Sequence, residues 1–424
     1  MRGEPTEPAL AGPIPPAPLP AGRGEKNLEG SDSFVGSQSV SYSPSLLRRG
    51  LGVGLTSFDA IVIGAGPAGA VAARELARRG CSVLLVDKAH FPRPKVCGCC
   101  VNAAAISVLR KLGLAHVLAN AVPLRNVRLA AGRRTAHLKL PGGVSLSREA
   151  FDAALVNEAI TAGVQFRAGV TAKLADGNSE RCAVNAGSEV LHSRIAVVAS
   201  GLAGNETAPE AGSRIGAGVS VPAEAVPEFF APGTIFMATA RGGYVGLVRV
   251  EDSRLDVAAA FDVSFVKSHG SPGAAAEAVL GEVGWPRIAG LTDLPWRGTP
   301  ALTRRAERIA GERWFAVGDA AGYIEPFTGE GMAWAITSGA AISPVAARAV
   351  AQWNASLTRE WKHTYHRLLG SRQRVCRVVS RVLRSPTLTA IAVRSLSVLP
   401  MLSHPVVAAI NRPSSFHSFL GAPV

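Results

Sequence analysis

From Asp59 onward the apolar and polar positions alternate between two rhythms. DAIVIG, from Asp59 to Gly64, and CSVLLVD, from Cys81 to Asp87, are short apolar runs that read as buried strands, and residues 67–79 between them carry helical spacing. Strand, helix and strand in that order form a βαβ unit, hence a parallel sheet. AISVLRKLGL predicts a helix closed by Gly113, and RNVRLAAG and TAHLKL predict short alternating strands. SREAFDAALVNEAITAG predicts an amphipathic helix that begins at a serine cap and stops at Gly163. RIAVVAS is a further buried strand. Residues 216–299 are strand-like, as in GGYVGLVRV and LDVAAAFDV, with one helix near 273–282. RWFAVGDAAG returns to the strand-then-turn style of the beginning, and everything after about residue 331 predicts helix.

This order predicts an α/β fold in which a Rossmann-like nucleotide-binding domain is interrupted by a strand-rich substrate domain and followed by a helical C-terminal cap. The nucleotide-binding pieces are expected at 56–130, 148–215 and 300–345, the substrate domain at 131–147 and 216–299, and the helical region at 346–424. Residues 1–55 are rich in Pro, Gly and Ser without sustained periodicity, and are expected to be a disordered, dispensable leader.

Composition narrows the class. The chain of 424 residues is 47% apolar and 18% charged, which suits a globular protein with a sizeable core. Its six cysteines are mostly isolated and imply no disulfide framework, so a reducing cytoplasm is the expected compartment. Prolines break up the first 20 residues where a signal peptide needs an apolar core, and no clean apolar run of 18 residues suggests a membrane span. The formal charge of +14 is uneven: residues 346–424 hold eleven Arg and Lys against the single acid Glu360. No nucleic-acid-binding signature accompanies that charge, so nucleic acid is not an expected partner. The histidines and cysteines show no metal spacing, and no metal is expected.

The chemistry begins at IVIGAGPAGA. Gly64 permits a tight turn, Gly66 lets the backbone approach a pyrophosphate, and Gly69 lets the helix pack close to the strand. Amides at the helix start then face phosphate charge. Asp87, ending the second strand, falls where an acceptor for a ribose 2′-hydroxyl belongs. These features suit the adenosine half of either NAD or FAD.

The choice comes from a distant stretch, WFAVGDAAGYIEPFTGEGMAWA, residues 314–335. Together the two motifs resemble the FAD-binding signature of the p-hydroxybenzoate hydroxylase superfamily, and within it are most similar to the geranylgeranyl reductase-like flavin-dependent dehydrogenases. The resemblance implies FAD as cofactor. It places the ADP half on Gly64, Ala65, Gly66, Pro67, Ala68, Gly69, Asp87 and Lys88, and the ribityl chain on Asp319 beside Gly318. The turn at Gly329, Glu330, Gly331 and Met332 would lie beside the isoalloxazine, its amide dipoles aimed at the flavin edge that gains charge on reduction. Arg148 matches a family arginine near the flavin, against the plain alternative of a surface residue in a first helical turn.

The loop FPRPKVCGCCVN, residues 91–102, is similar to a basic Cys-Gly loop of the reductases; Cys99 and Cys100 replace glycines common there. Cys97 is a candidate catalytic thiol facing the substrate side of the flavin, with an ordinary loop thiol as the competing reading. The Gly-Glu-Ser turn usual in flavin-dependent halogenases is absent. VVASGLAG places Ser200 where the hydroxylases usually have an acid. In RGGYVGLVRV, Tyr244 fits the reductases' aromatic motif, whereas Gly246, Val248 and Arg249 depart from it and put a prenyl-lipid substrate in doubt. Tyr244 is the second candidate catalytic residue, or else a core aromatic.

The resemblance therefore implies an FAD-dependent oxidoreductase that moves hydride between flavin N5 and a hydrophobic small molecule, at a C=C bond of a lipid, isoprenoid or polyketide. An aromatic monooxygenase is the alternative, and a non-catalytic FAD-stabilised binding protein a third reading. Electrons would come from transient NAD(P)H or another carrier, since no second glycine-rich βαβ unit is evident. Arg374, Arg377, Arg381 and Arg384 fall at helical spacing opposite Val375, Val378, Val379 and Val382, and an apolar run follows. These helices are read either as a cap on the flavin domain or as a peripheral contact with the inner membrane face.

Overall fold

The computed structural model of the chain describes residues 58–411 apart from positions 326 and 328. The expected leader at 1–55 and the last part of the helical region, 412–424, lie outside the described residues.

A parallel sheet forms the nucleotide part. In space its strands run 165–167, 83–86, 58–63, 189–198 and 314–316, with an antiparallel edge strand at 310–311 and an antiparallel ribbon from 172–175 and 182–186. This is the doubly wound order in which the chain steps outward from the first strand and then crosses to its other side. Residues Phe58–Ile63 are almost all buried, which explains why the strand reads as a continuous apolar run rather than an alternation. Helix α1 (Pro67–Ala77) packs on α3 (Arg148–Thr161) and α6 (Gly331–Ala351). The approach of α1 to α6 depends on a missing side chain: a Cβ on Gly339 would lie 2.3 Å from the Ala68 carbonyl oxygen.

A second sheet of seven strands has the order 297–301, 215–221, 255–261, 243–249, 234–240, 126–131 and 134–139. One face packs on α5 (Pro272–Glu282) through Phe230, Phe236 and Trp285, whose rings meet edge-on at centroid distances of 5.2 to 6.2 Å. Burying side chains of this size contributes roughly 1.5–3 kcal/mol each. The other face meets α8 (Pro386–Val398) through Val393 and Leu396.

Three local expectations are revised. Strand Asn126–Ala131, placed largely in the nucleotide part by a boundary at 130, pairs along its length with 234–240 and 134–139, so it belongs to the seven-stranded sheet. Its partners lie about a hundred residues onward, and local alternation cannot reveal them. Residues Gly143–Ser145 join a small sheet with 100–102 and 122–123 rather than the substrate sheet. A helix missing from the sequence reading, α4 (Val263–His269), precedes α5; its seven residues are too few to establish a 3.6 period.

The remaining helices are α2 (Ala103–Lys111), α7 (Ser356–Leu383) and α9 (His404–Asn411). In α7 the buried stripe is Trp361, Tyr365, Leu368, Leu369, Arg372 and Cys376, while Arg374, Arg377, Arg381 and Arg384 are exposed. Among the described residues no helix is long and apolar enough to cross a membrane.

Candidate functional site

The carboxyl ends of the parallel strands open on a cavity of about 1340 Å³, reached by Ile63, Val86, Ala199 and Val317. That volume exceeds the roughly 300–1,000 Å³ of a typical small-molecule site. One end is polar and bounded by the glycine turn. The other is apolar and bounded by the seven-stranded sheet, α7, α8 and α9.

At the polar end the turn is shaped by backbone crowding. Gly64 has φ +101°, and a Cβ there would lie 2.3 Å from the Ala199 carbonyl oxygen. A Cβ on Gly66 would instead point into the cavity, 3.8 Å from the nearest Arg93 nitrogen, so its absence leaves room for a ligand against the backbone. Helices α2, α3, α5 and α8 each have their first amides capped by an Asn or Ser side chain. Helices α1 and α6, whose first turns line the cavity, have no such cap. Helix α4 also lacks one, with a largely exposed first turn, and the first amide of α7 donates to the Asn354 side chain at 2.9 Å. Two open helix N-termini facing one cavity make two anion sites.

Cations reinforce both. Arg93, Lys95 and Arg148 line the cavity, with Lys88 at its rim. Arg148 is held by the buried Asp152 through two bonds of 2.8 and 2.7 Å. Arg93 lies 3.5 Å from Asp152 and 3.7 Å from Asp87. The Asp87 carboxylate accepts from the Ala65 amide at 2.7 Å and from the Ala89 amide at 2.9 Å. It therefore holds the second strand's end against the glycine turn while facing the cavity.

Asp319 and Gly318 line the middle of the cavity, Gly318 at φ +59° with its N–H donating to the Ser338 hydroxyl at 2.9 Å. Burial pushes the Asp319 carboxyl up, opposed by nearby Lys95 and Arg148. Burial lowers the Lys95 ammonium, helped by Arg148 and opposed by Asp319.

Of the expected flavin-side turn, Gly329, Gly331 and Met332 line the cavity. The Glu330 side chain does not. It is fully buried and turned toward α7, where its carboxylate accepts from the Cys376 thiol at 3.1 Å and Arg372 lies 3.9 Å away. Burial raises it to about 7. Its expected place in the cofactor set is corrected in this respect: the side chain anchors the turn from behind. Ala65 and Gly69 also stand off the cavity wall, Ala65 bonded to Asp87 and Gly69 packed on Gly64.

Cys97 lines the cavity where Arg148 reaches it. A hydrogen bond from the Cys99 thiol lowers Cys97 to about 6; burial opposes this, and Arg148 adds to the lowering. Tyr244 also lines the cavity but is only 6% exposed. Its ring meets Phe327 edge-on at 5.0 Å, and it lies near Glu325, which pairs with Arg214 at 3.0 Å. The structure thus places Tyr244 in a packed aromatic wall. Ser200 reaches the cavity too, its hydroxyl donating to Glu206 at 2.8 Å.

The sequence reading did not single out Arg93, Lys95 or Asp256. The first two were visible only as a basic loop. Asp256, on strand Leu255–Phe261, is half-buried beside Cys97 and Cys99, a proximity that only the fold creates. Among the described residues no cluster of His, Cys, Asp and Glu could hold a metal ion.

Residues 57–206 match the FAD binding domain family, and the polar half of the cavity fits that cofactor: an uncrowded Gly66, two uncapped helix starts and converging cations. Residues 57–206 are thus an FAD-binding domain. The chain's resemblance to the geranylgeranyl reductase-like flavoproteins is supported by a digeranylgeranylglycerophospholipid reductase of Methanopyrus kandleri. That protein is 27% identical over 320 residues, 69% of this chain and 81% of the relative. A menaquinone reductase of Mycobacterium tuberculosis is 41% identical over 86 residues, 20% of this chain and 21% of the relative, so the chain matches about a fifth of that protein's length. The fold is shared with a geranylgeranyl bacteriochlorophyll reductase-like protein of Thermoplasma acidophilum, at TM-score 0.68 and 17% identity over 84% of this chain and 98% of that one. A flavin-dependent brominase has the same fold, at TM-score 0.69 and 18% identity over 87% and 96%. The names of these relatives are those of enzymes.

Proposed function

We propose that the chain is an FAD-dependent oxidoreductase that transfers hydride between flavin N5 and a hydrophobic substrate, at a C=C bond of a lipid, isoprenoid or polyketide. The observation that carries this reading is a single cavity with two chemistries. A cation-rich nucleotide end runs without interruption into a half walled by apolar side chains such as Leu129, Leu138, Met237, Val382 and Leu396. FAD supplies the hydride chemistry when bound. The protein's part is to hold the pyrophosphate on the first turn of α1, to face the flavin with the first turn of α6, and to keep water from the apolar half. Relatives named as reductases of a prenylated lipid and of a quinone support the substrate class.

Tyr244, Cys97 and Arg148 line the cavity, and in this reading they orient the substrate against the flavin. Electrons arrive from NAD(P)H bound transiently or from another carrier. The enzyme is cytoplasmic and meets the inner membrane face through its C-terminal helices. Of eleven exposed large apolar side chains among the described residues, eight lie between Val378 and Val406, and Val378, Leu402 and Val406 also line the cavity. A hydrophobic substrate would enter there.

The test is anaerobic. FAD-loaded protein is reduced chemically, freed of reductant, and mixed with a polyprenyl lipid or a menaquinone in detergent. Flavin reoxidation matched by reduced product supports hydride transfer to that substrate. Reoxidation only when oxygen is admitted, with an oxygenated product, would replace this reading with a monooxygenase. Protein whose flavin no donor reduces would be a binding protein.

A further inference from the structure

The loop between strand Val83–Val86 and α2 brings two thiols together where hydride transfer has no need of a pair. Cys97 faces the cavity, Cys99 lies just behind it at 3% exposure, and only Gly98 separates them. Cys97 packs against the small cluster that contains Cys99, and Arg148 lines the cavity with it. The neighbouring Cys99 thiol lowers Cys97 to about 6, opposed by burial and helped by Arg148. Arg148 is itself fixed by its paired bonds to buried Asp152. A cavity-facing sulfur between a second thiol and a fixed guanidinium is a thiolate site.

Cys99 is set for partnership with it. Its backbone takes φ +48°, a left-handed conformation uncommon for a residue with a side chain. The surroundings impose it: the Cys99 carbonyl accepts from the Leu146 amide at 3.0 Å, and its side chain packs with Leu124, Val248 and Val250. Behind it lies the half-buried Asp256, whose carboxyl is pushed up by burial and by the nearby Cys97. Cys100 also lines the cavity, but its thiol is engaged with the backbone, donating to the Gly98 carbonyl at 2.8 Å.

We propose that Cys97 and Cys99 are a redox-active dithiol that exchanges two electrons with the flavin. The proposal rests on the reading that this cavity holds FAD. The step balances as Cys97 thiolate, Cys99 thiol and FAD giving the Cys97–Cys99 disulfide and FADH⁻: a sulfur–sulfur bond forms, the Cys99 S–H bond breaks, and its proton with two electrons goes to the flavin. Reduced flavin returns the pair to thiolate and thiol. Arg148 stabilises the thiolate, and the Cys99 thiol supplies the proton. The loaded protein then stores two electrons beyond those of its flavin.

The full chain, loaded with FAD and oxidised in air, is titrated anaerobically with dithionite while parallel samples are denatured in N-ethylmaleimide and digested. We expect four electrons per FAD. We also expect an oxidised peptide with one maleimide, on Cys100, and a mass lower by two hydrogens, converting on reduction to a peptide with three. Cys99→Ser should take up two electrons and keep its flavin. A wild-type chain that holds FAD but takes up only two electrons, with three maleimides on the air-oxidised peptide, overturns the dithiol and leaves the FAD reading intact. Failure of the purified chain to hold FAD overturns both. The wild-type peptide mass decides the point even if the variant does not fold.

Discussion

A Cβ on Gly69 would lie 1.8 Å from the Gly64 carbonyl oxygen, so the first turn of α1 rests directly on the glycine turn that precedes it. No side chain fits between them, and the amides of that turn take their direction from the contact. Gly69→Ala must push α1 off the turn. We expect a loss of stability of about 1–3 kcal/mol, as for overpacking elsewhere, and a tenfold or greater fall in FAD affinity. Flavin absorbance per protein after gel filtration and the thermal midpoint check it together. Unchanged flavin content with an unchanged midpoint would refute the assigned packing.

The legible parts of this molecule are those whose partners are close in sequence. Gly64, Gly66 and Asp87 belong to one βαβ unit, and their spacing alone announces the turn and its carboxylate. Ser147 and Gly163 bracket α3 because caps act locally; Ser147 accepts from the Ala150 amide at 3.2 Å. The direction of the Glu330 side chain is not legible, because its partners Cys376 and Arg372 lie on α7 and no local pattern says which way an acid at a helix start will turn. The boundary expected at 130 misses the place of strand Asn126–Ala131 for the same reason, since its partner strand 234–240 is distant in sequence. Cys97 could be suspected from its loop, but the guanidinium and the thiol that lower it come together only in the folded chain.

Arg148 is one of the groups that hold Cys97 as a thiolate near neutral pH. Removing it by Arg148→Gln should raise the Cys97 midpoint from about 6 toward the ordinary thiol range. Alkylation by iodoacetamide followed against pH, with the labelled peptide identified by mass, reads this directly. Arg148→Lys should recover part of the shift, since it keeps the charge and loses the fork. An alkylation midpoint unmoved by both substitutions would place the guanidinium elsewhere.

The buried Glu330 carboxyl makes stability depend on pH in a definite direction. Its value in the folded chain is about 7 against an ordinary 4.5, raised by burial and opposed by Cys376 and Arg372. The folded state therefore holds a proton that the unfolded chain has released. The stabilisation is complete below about pH 4.5, declines as pH rises and is gone above about 7, at most about 3 kcal/mol from this group. Glu330→Gln should flatten the decline across that window. Urea unfolding at several pH values measures it, and an identical slope in wild type and variant would contradict the assignment.

The apolar face around the cavity mouth is placed for a lipid surface. Val398 and Met401 are 70% and 63% exposed, and Leu399 and Leu402 lie between and beside them. Arg377, Arg381 and Arg394 are exposed on the adjoining helices. Apolar side chains ringed by arginine suit a bilayer whose headgroups carry negative charge, where each basic residue near the surface contributes about 1 kcal/mol. Cosedimentation with phosphatidylglycerol vesicles should capture the chain, and capture should weaken on neutral phosphatidylcholine and at high salt. Met401→Glu with Leu402→Glu should cut vesicle binding at least tenfold, because these side chains would enter the acyl boundary. Arg381→Glu with Arg394→Glu should abolish the preference for anionic lipid while leaving the weaker apolar binding. Both pairs are exposed, so the thermal midpoint should hardly move. Wild-type protein that ignores vesicles of either kind would assign the face to another partner and separate substrate entry from the membrane.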